Sequence, residues 1–101
     1  MNVIHAQMRM SCSKLNAHLF LLHVKDSPSC NCGLDVEDNN HFLLYCPLYV
    51  NIRQRLFHAI INFTEISEEV LLYGNSMLSC KENTRLFLAV HCYIKDSNRF
   101  T

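Results

Sequence analysis

The 101-residue sequence contains little turn-forming material: it has two glycines, two prolines and no tryptophan. A chain of many short strands needs frequent glycine or proline turns, so this scarcity disfavours a sheet and favours long helices. Half of the residues are hydrophobic, which argues against intrinsic disorder. The length limits the core to that of one small domain. We therefore expect a mostly α protein, a small helical domain of about four helices.

Net charge is also absent, because nine basic and nine acidic side chains cancel. The chain therefore lacks the overall cationic field that draws proteins to nucleic acid. The charges are nevertheless separated along the sequence. Residues 1–25 carry Arg9, Lys14 and Lys25 and no acid, whereas residues 26–46 carry four acids and no base. This separation of charges supports the hypothesis of a local basic surface.

Long apolar segments are missing as well. Runs such as Leu19–Leu22 are far too short to cross a bilayer, and Met1–Met10 has no continuous apolar core of the signal-peptide type. We expect an intracellular protein of the nucleus or cytoplasm with no membrane partner. In a reducing compartment, six cysteines are more plausible as metal ligands or buried thiols than as three disulfides.

Four residues of the types that bind zinc follow the spacing C-x-C-x8-H-x4-C, namely Cys30, Cys32, His41 and Cys46. Three thiolates and one imidazole fill the four tetrahedral positions of a zinc ion and leave none for a substrate. This donor set predicts one structural Zn²⁺ rather than a catalytic one. Incidental thiols beside a surface histidine are the alternative interpretation.

The residues around these candidate ligands favour a zinc knuckle. Gly33 directly follows Cys32 and can take a positive φ, which turns backbone N–H groups toward the thiolates. We expect Asn39 or Asn40 to cap a helical turn that carries His41 to Cys46. Pro47 is expected to end that turn and to begin the next helix.

Residues 1–12 show no clear periodicity and are predicted to be an irregular lead-in. In the rest of the chain, helices are predicted from local caps and from apolar residues that recur at helical spacing. The last of the predicted helices has Leu86, Val90, Tyr93 and Ile94 on its buried face. The predicted helices are 14–24 after an N-cap at Ser13, 47–62, 68–73 before Gly74, and a last helix that starts at the capping box Ser79-x-x-Glu82 and ends near 95–97.

The chain resembles the zinc-binding domain at the C-terminal end of reverse transcriptases of non-LTR (LINE-type) retrotransposons. The resemblance spans roughly residues 13–100. It implies that 13–101 form a domain of that type, that Cys30, Cys32, His41 and Cys46 bind zinc, and that the module helps a polymerase to handle template RNA or target DNA. The segments that carry it are 15–19, 26–33, 40–49 with Arg53 beyond, and 90–100.

Two departures from the family pattern stand out. The approach to the histidine is commonly Glu-Thr followed by two further residues, but here it reads Glu37-Asp38-Asn39-Asn40. The polymerase and endonuclease regions have no counterpart in these 101 residues. Reverse transcription also needs clustered metal-binding aspartates, and Asp26, Asp35, Asp38 and Asp96 form no paired motif. We therefore expect no enzyme activity.

Candidate nucleic-acid contacts are Lys14, Lys25, Arg53 and Arg55, for which a solvated helix face is the alternative interpretation. Tyr45 and Tyr49 are candidates for stacking on bases, although tyrosines at such positions also pack in cores. Three functional hypotheses follow. The chain is a module that binds RNA or DNA beside the polymerase part of a retrotransposon protein, a zinc-stabilised protein-interaction module, or an element remnant without function.

Overall fold

The computed structural model describes residues 2–101 and is mostly helical, which confirms the predicted fold class. Within these residues the β structure is a single antiparallel bridge between Ser29 and Val36. Among residues 2–101, none of the helices combines the length and apolarity that a bilayer crossing requires. The elements are α1 (Val3–Arg9), α2 (Asn16–Leu21), a π-helical turn (His41–Tyr45), a 3-10 turn (Pro47–Tyr49), α3 (Val50–Ile60), α4 (Glu68–Tyr73) and α5 (Cys80–Ser97).

Helices α3 and α5 pack along each other and form the centre of the molecule. Helix α5 begins with the predicted capping box: the Ser79 hydroxyl accepts from the Glu82 N–H at 3.1 Å, and the Glu82 carboxylate accepts from the Ser79 N–H at 3.0 Å. All four predicted core residues of α5 are buried, as are Leu56 and Ile60 of α3. Helix α4 spans its predicted residues and ends at Gly74.

The first helix corrects the prediction of an irregular lead-in over residues 1–12. Residues 3–9 are helical, and the side chain of Asn2 caps them by accepting from the His5 N–H at 2.9 Å. Helix α1 packs against α4 and α5, with Met8 0% and His5 1% exposed. The sequence showed no apolar stripe here because one of the two buried positions is a histidine.

Helix α2 is shorter than predicted, since it covers Asn16–Leu21 rather than 14–24. Ser13 does not cap it; instead the Asn16 N–H donates to the carboxylate of Glu37 at 2.8 Å. The helix ends because His23 takes a φ of 60°, and Leu22 is 57% exposed. A contact with a residue far along the chain has replaced the local cap.

The predicted helix over residues 47–62 is divided into two parts. Pro47 is the first residue of the 3-10 turn, a position that is compatible with the fixed φ of proline. The regular helix α3 starts only at Val50. It ends at Ile60, two residues before the predicted end.

Candidate metal centre

The first two candidate ligands lie in a tight loop that follows α2. The Cys30 N–H donates to the Asp35 carbonyl at 2.9 Å, and the Gly33 N–H donates to the Cys30 carbonyl at 3.0 Å. Gly33 has a φ of +80°, which confirms the predicted positive φ. Residues other than glycine adopt this backbone conformation only with strain. The loop therefore returns on itself within a few residues and brings Cys30 and Cys32 to the same side.

Backbone N–H groups favour the thiolate forms of three candidate ligands. The Leu34 N–H acts in this way on the pKa of Cys32, and the Cys32 N–H on the pKa of Cys30. The Leu48 N–H likewise favours the thiolate of Cys46. Such donors stabilise thiolates, because they place partial positive charge against the sulfur.

The other two candidate ligands stand at the two ends of the π-helical turn. The Cys46 N–H donates to the His41 carbonyl at 2.7 Å, a hydrogen bond that spans five residues. A π-helix has more residues per turn than an α-helix, so residues five apart lie closer to the same face. The sequence predicted a helical turn that ends at Pro47, and in an α-helix two residues five apart lie about one and a half turns apart. The wider turn is the feature that directs His41 and Cys46 to one point.

The cap of this turn differs from the prediction of Asn39 or Asn40. Asp38 caps it, because its side chain accepts from the His41 N–H at 2.8 Å. Asn39 is used elsewhere: its amide donates to the Met8 carbonyl at 2.9 Å and connects the turn to α1.

The donor atoms of the four predicted ligands all lie within 4.8 Å of one another. The sulfurs of Cys30 and Cys46 are 3.7 Å apart, and the Cys32 sulfur is 3.2 Å from Nε2 of His41. Two thiolates bound to a tetrahedral zinc lie about 3.8 Å apart, given Zn–S bonds of about 2.3 Å. Three of the residues are buried and Cys32 is half-buried. The structure thus contains a Cys3His group that can hold a metal ion.

The pKa values of the thiols differ with their surroundings. Burial raises the pKa of Cys30 to about 12 and also raises the pKa of Cys46. The pKa of Cys32 is lowered, chiefly by the hydrogen bond from the Leu34 N–H. Buried thiols of this kind keep their protons at neutral pH unless a cation compensates the thiolate charge. Metal binding would therefore release protons from this site.

Arg53 does not lie where sequence reasoning placed it. The prediction of a phosphate contact is wrong, because Arg53 is only 5% exposed. Its guanidinium donates to three carbonyls at the end of the π-helical turn and to the Tyr93 hydroxyl at 3.1 Å. The carbonyls are those of Leu43 at 3.1 Å, Phe42 at 3.3 Å and Cys46 at 2.7 Å. A π-turn leaves such carbonyls without helical partners, and a side chain with several N–H groups can satisfy them.

The other three cationic candidates are exposed. Lys14 precedes α2, Lys25 follows it, and Arg55 lies on α3, so they belong to three different segments. Arg55 forms an exposed ion pair with Asp96 at 4.0 Å. A pair of this kind is weak and leaves the guanidinium accessible.

The two tyrosine candidates have different surroundings. Tyr45 is 67% exposed and directly precedes Cys46, so its ring is free to contact a ligand. Tyr49 packs edge-to-face on Phe42, with ring centroids 5.2 Å apart, and belongs to an aromatic cluster that includes Tyr93. Only Tyr45 keeps the accessibility that base stacking requires.

Sequence reasoning missed the ion pair between Glu37 and Arg99. Arg99 donates to both carboxylate oxygens of Glu37, at 2.7 and 2.6 Å, and Glu37 is only 2% exposed. Glu37 lies between the second and third candidate ligands, so the pair connects the metal-binding loop to the end of the chain. The two residues are 62 positions apart, and no local pattern in the sequence signals their contact.

Comparisons with protein families, with curated proteins and with solved structures found no match for this chain. The retrotransposon resemblance therefore stays a hypothesis. The function is inferred below from the metal centre and from the surface around it.

Proposed function

We propose that the chain is a non-catalytic module that binds one Zn²⁺ through Cys30, Cys32, His41 and Cys46. The observation that carries this proposal is the convergence of four donor atoms within 4.8 Å. Three sulfurs and one imidazole as donors favour zinc among the common metal ions. Four protein ligands also complete the coordination, so the ion would be structural.

The ligands are attached to the hydrophobic core through the π-helical turn. Phe42 and Leu43 directly follow His41 and are both 0% exposed. Phe42 contacts the rings of Tyr49, Tyr93 and Phe100 at centroid distances of 5.2 to 5.5 Å. Zinc binding would therefore fix the position of side chains at the centre of the domain.

The module is further proposed to help a non-LTR-type reverse transcriptase to bind template RNA or target DNA. The sequence resemblance supports this role, as do the exposed cations Lys14, Lys25 and Arg55 and the exposed ring of Tyr45. The metal-binding loop itself carries acidic side chains and thiolates, which repel phosphate. Nucleic acid would therefore contact surfaces beside the loop.

A zinc-stabilised protein-interaction module is the alternative function. The end of α2 and the residues after it expose four apolar side chains: Phe20, Leu21, Leu22 and Val24 are 41 to 67% exposed. Exposed apolar side chains grouped in this way are typical of protein contacts. A remnant of an element, with no selected function, is the third hypothesis.

Zinc binding is tested by native mass spectrometry of the chain produced with zinc. We expect one zinc ion per chain, and its loss in Cys30→Ser and His41→Ala. Cys80→Ser is the matched control, because Cys80 is exposed and lies outside the group of four, so zinc should be retained. A native chain without bound zinc would contradict the proposal, as would Cys30→Ser and His41→Ala variants that keep one zinc ion per chain.

The nucleic-acid role is tested by anisotropy of labelled single-stranded RNA and DNA at several salt concentrations. We expect binding that weakens as salt rises, with a slope that Lys25→Ala reduces by about one. Tyr45→Ala should weaken binding by about the same factor at every salt concentration, because stacking does not release counterions. No binding at low salt would favour the protein-interaction hypothesis.

A further inference from the structure

Arg53 is a buried cation without an anionic side chain beside it. The ion pairs in residues 2–101 join Arg55 to Asp96 and Arg99 to Glu37, and neither includes Arg53. Its hydrogen bonds go to carbonyls and to the hydroxyl of Tyr93, all of which are neutral groups. Buried charges in proteins are normally paired with an opposite charge, so this arrangement needs an explanation.

The missing negative charge is available at the metal centre. The shortest of these Arg53 hydrogen bonds, at 2.7 Å, ends on the carbonyl of Cys46, whose own sulfur is one of the four metal-binding donors. Three thiolates around one Zn²⁺ carry a net charge of −1. A buried cation and a mostly buried anionic centre would therefore lie close to each other.

We propose that Arg53 is a positioning residue for the metal centre and the counter-charge of its thiolates. This inference rests on the proposed zinc-binding function. The guanidinium holds the carbonyls of Leu43 and Cys46 and thereby fixes the end of the π-helical turn from which the Cys46 sulfur projects. Its positive charge stabilises the thiolate form of the site in surroundings from which water is largely excluded.

Helix α5 takes part in this arrangement through Tyr93. The Tyr93 hydroxyl accepts from Arg53 at 3.1 Å and itself donates to the Phe42 carbonyl, so the guanidinium is held between two elements. Tyr93 is 1% exposed and lies in the main core. The core is thus connected to the metal centre through two side chains, Tyr93 and Arg53.

A merely structural role for Arg53 gives a different expectation. If the guanidinium serves only to satisfy carbonyls, its loss will weaken folding by the same amount whatever the charge of the metal centre. If the guanidinium is the counter-charge, its loss will weaken zinc binding by a larger factor as the metal centre becomes more negative. The charge of the centre can be changed by exchange of ligands, because a neutral imidazole replaces a thiolate in Cys32→His and the reverse occurs in His41→Cys.

The experiment measures the apparent zinc affinity of the whole chain, by competition with a chelator, with and without Arg53→Gln. It uses three centres: Cys32→His, the native Cys3His group and His41→Cys, with net charges of 0, −1 and −2. We expect Arg53→Gln to weaken zinc binding about threefold, tenfold and more than thirtyfold in that order. Equal factors in the three centres would overturn the counter-charge role, because any common folding cost cancels in this comparison.

Two further variants test whether a loss of folding explains the weaker zinc binding. Arg53→Lys keeps the charge and loses the planar fork, so it should bind zinc several-fold more tightly than Arg53→Gln in the native centre. Arg55→Gln changes an exposed neighbour on the same helix and should leave the affinity unchanged. Equal affinities of the Arg53→Lys and Arg53→Gln chains would also overturn the role. A native chain that binds no zinc would instead refute the proposed function, and this inference with it.

Discussion

His5 is held in a neutral form by groups from three helices. Its Nε2 lies 2.9 Å from the Leu71 carbonyl, which can only accept, so Nε2 carries the proton and Nδ1 is the acceptor. Nδ1 lies 3.0 Å from Nε2 of His91 and 3.2 Å from the Arg9 guanidinium. Burial, above all, together with the charge of Arg9, lowers the pKa of His5 from 6.5 to about 4. A proton on Nδ1 would break this arrangement.

The stability of the domain should therefore fall as the pH falls through 6.5. Between pH 6.5 and about 4, the unfolded chain binds a proton at His5 and the native chain does not, so protons favour unfolding. From pH 7.5 to 5.5 we expect His5 to account for a loss of about 1 kcal/mol in the free energy of unfolding. Urea unfolding of the zinc-bound chain at both pH values measures this loss.

The comparison with His5→Gln removes the titration of His5 and its coupling to His91, whose pKa burial also lowers, while protonation of the metal ligands contributes equally to both chains. The variant should lose about 1 kcal/mol less than the native chain over this range. His58→Gln changes an exposed histidine of α3 and should retain the native pH dependence. The same loss in the native and His5→Gln chains would show that His5 does not titrate in this way.

Single residues were predictable from the sequence where their roles are local. Gly33 was identified because a turn after Cys32 needs a positive φ, and it has one. Arg53 was predicted to contact nucleic acid or to lie on a solvated helix face, but it is buried and donates to carbonyls of the π-helical turn. Periodicity alone could not reveal those acceptors, since they belong to a non-standard turn.

At the scale of elements, Arg99 connects the end of α5 to the metal-binding loop. Asn98 ends the helix with a φ of 54°, a left-handed cap that turns the chain back. Arg99 then reaches the carboxylate of Glu37 and also donates to the Lys14 carbonyl at 3.0 Å. The same carboxylate caps α2 through the Asn16 N–H. Three segments far apart in sequence therefore meet at one buried ion pair.

Removal of Arg99 should be costly, because it would leave the Glu37 carboxylate buried without its counter-charge. We expect Arg99→Ala to reduce the free energy of unfolding by about 3 kcal/mol. Arg55→Ala is the matched control: its ion pair with Asp96 is exposed, and the expected loss is below about 0.5 kcal/mol. Chemical denaturation of both variants measures the difference.

The buried charge can be separated from the lost contacts with a second substitution. Adding Glu37→Gln to Arg99→Ala removes the unpaired carboxylate and should restore part of the lost stability. A loss for Arg99→Ala no larger than that for Arg55→Ala would mean that the pair does not hold these segments together.

Helices with their own local signals were predicted well. Helices α4 and α5 carry Ser67 and Ser79 as N-caps with side-chain hydrogen bonds, and Gly74 ends α4. Helices α1 and α2 were missed or overextended because tertiary contacts determine them. The first N–H of α2 is satisfied by Glu37, and α1 is buried through its contacts with α4 and α5. Such partners are invisible to a window of neighbouring residues.

At the scale of the whole molecule, the ligands lie between α2 and α3, in a part of the chain with little regular helix. Between α2 and α3 the chain has only short turns, yet Phe42 and Leu43 from this region are fully buried in the common core. Ordering so many residues without long helices costs conformational entropy that a domain of this size offsets with difficulty. A metal ion bound by both ends of the region would supply the missing stabilisation.

Removal of zinc should therefore unfold most of the domain. Structural zinc binding contributes on the order of 10 kcal/mol in zinc-finger peptides, which is as large as the whole net stability of about 5–15 kcal/mol expected for a chain of this length. After chelation under reducing conditions, circular dichroism should lose most of the helical signal and the cooperative melting transition, and added zinc should restore both. Cys80→Ser should behave like the native chain, since Cys80 is exposed and distant from the ligand set in sequence. A zinc-free chain with an unchanged melting curve would show that α3 and α5 hold the fold without the metal.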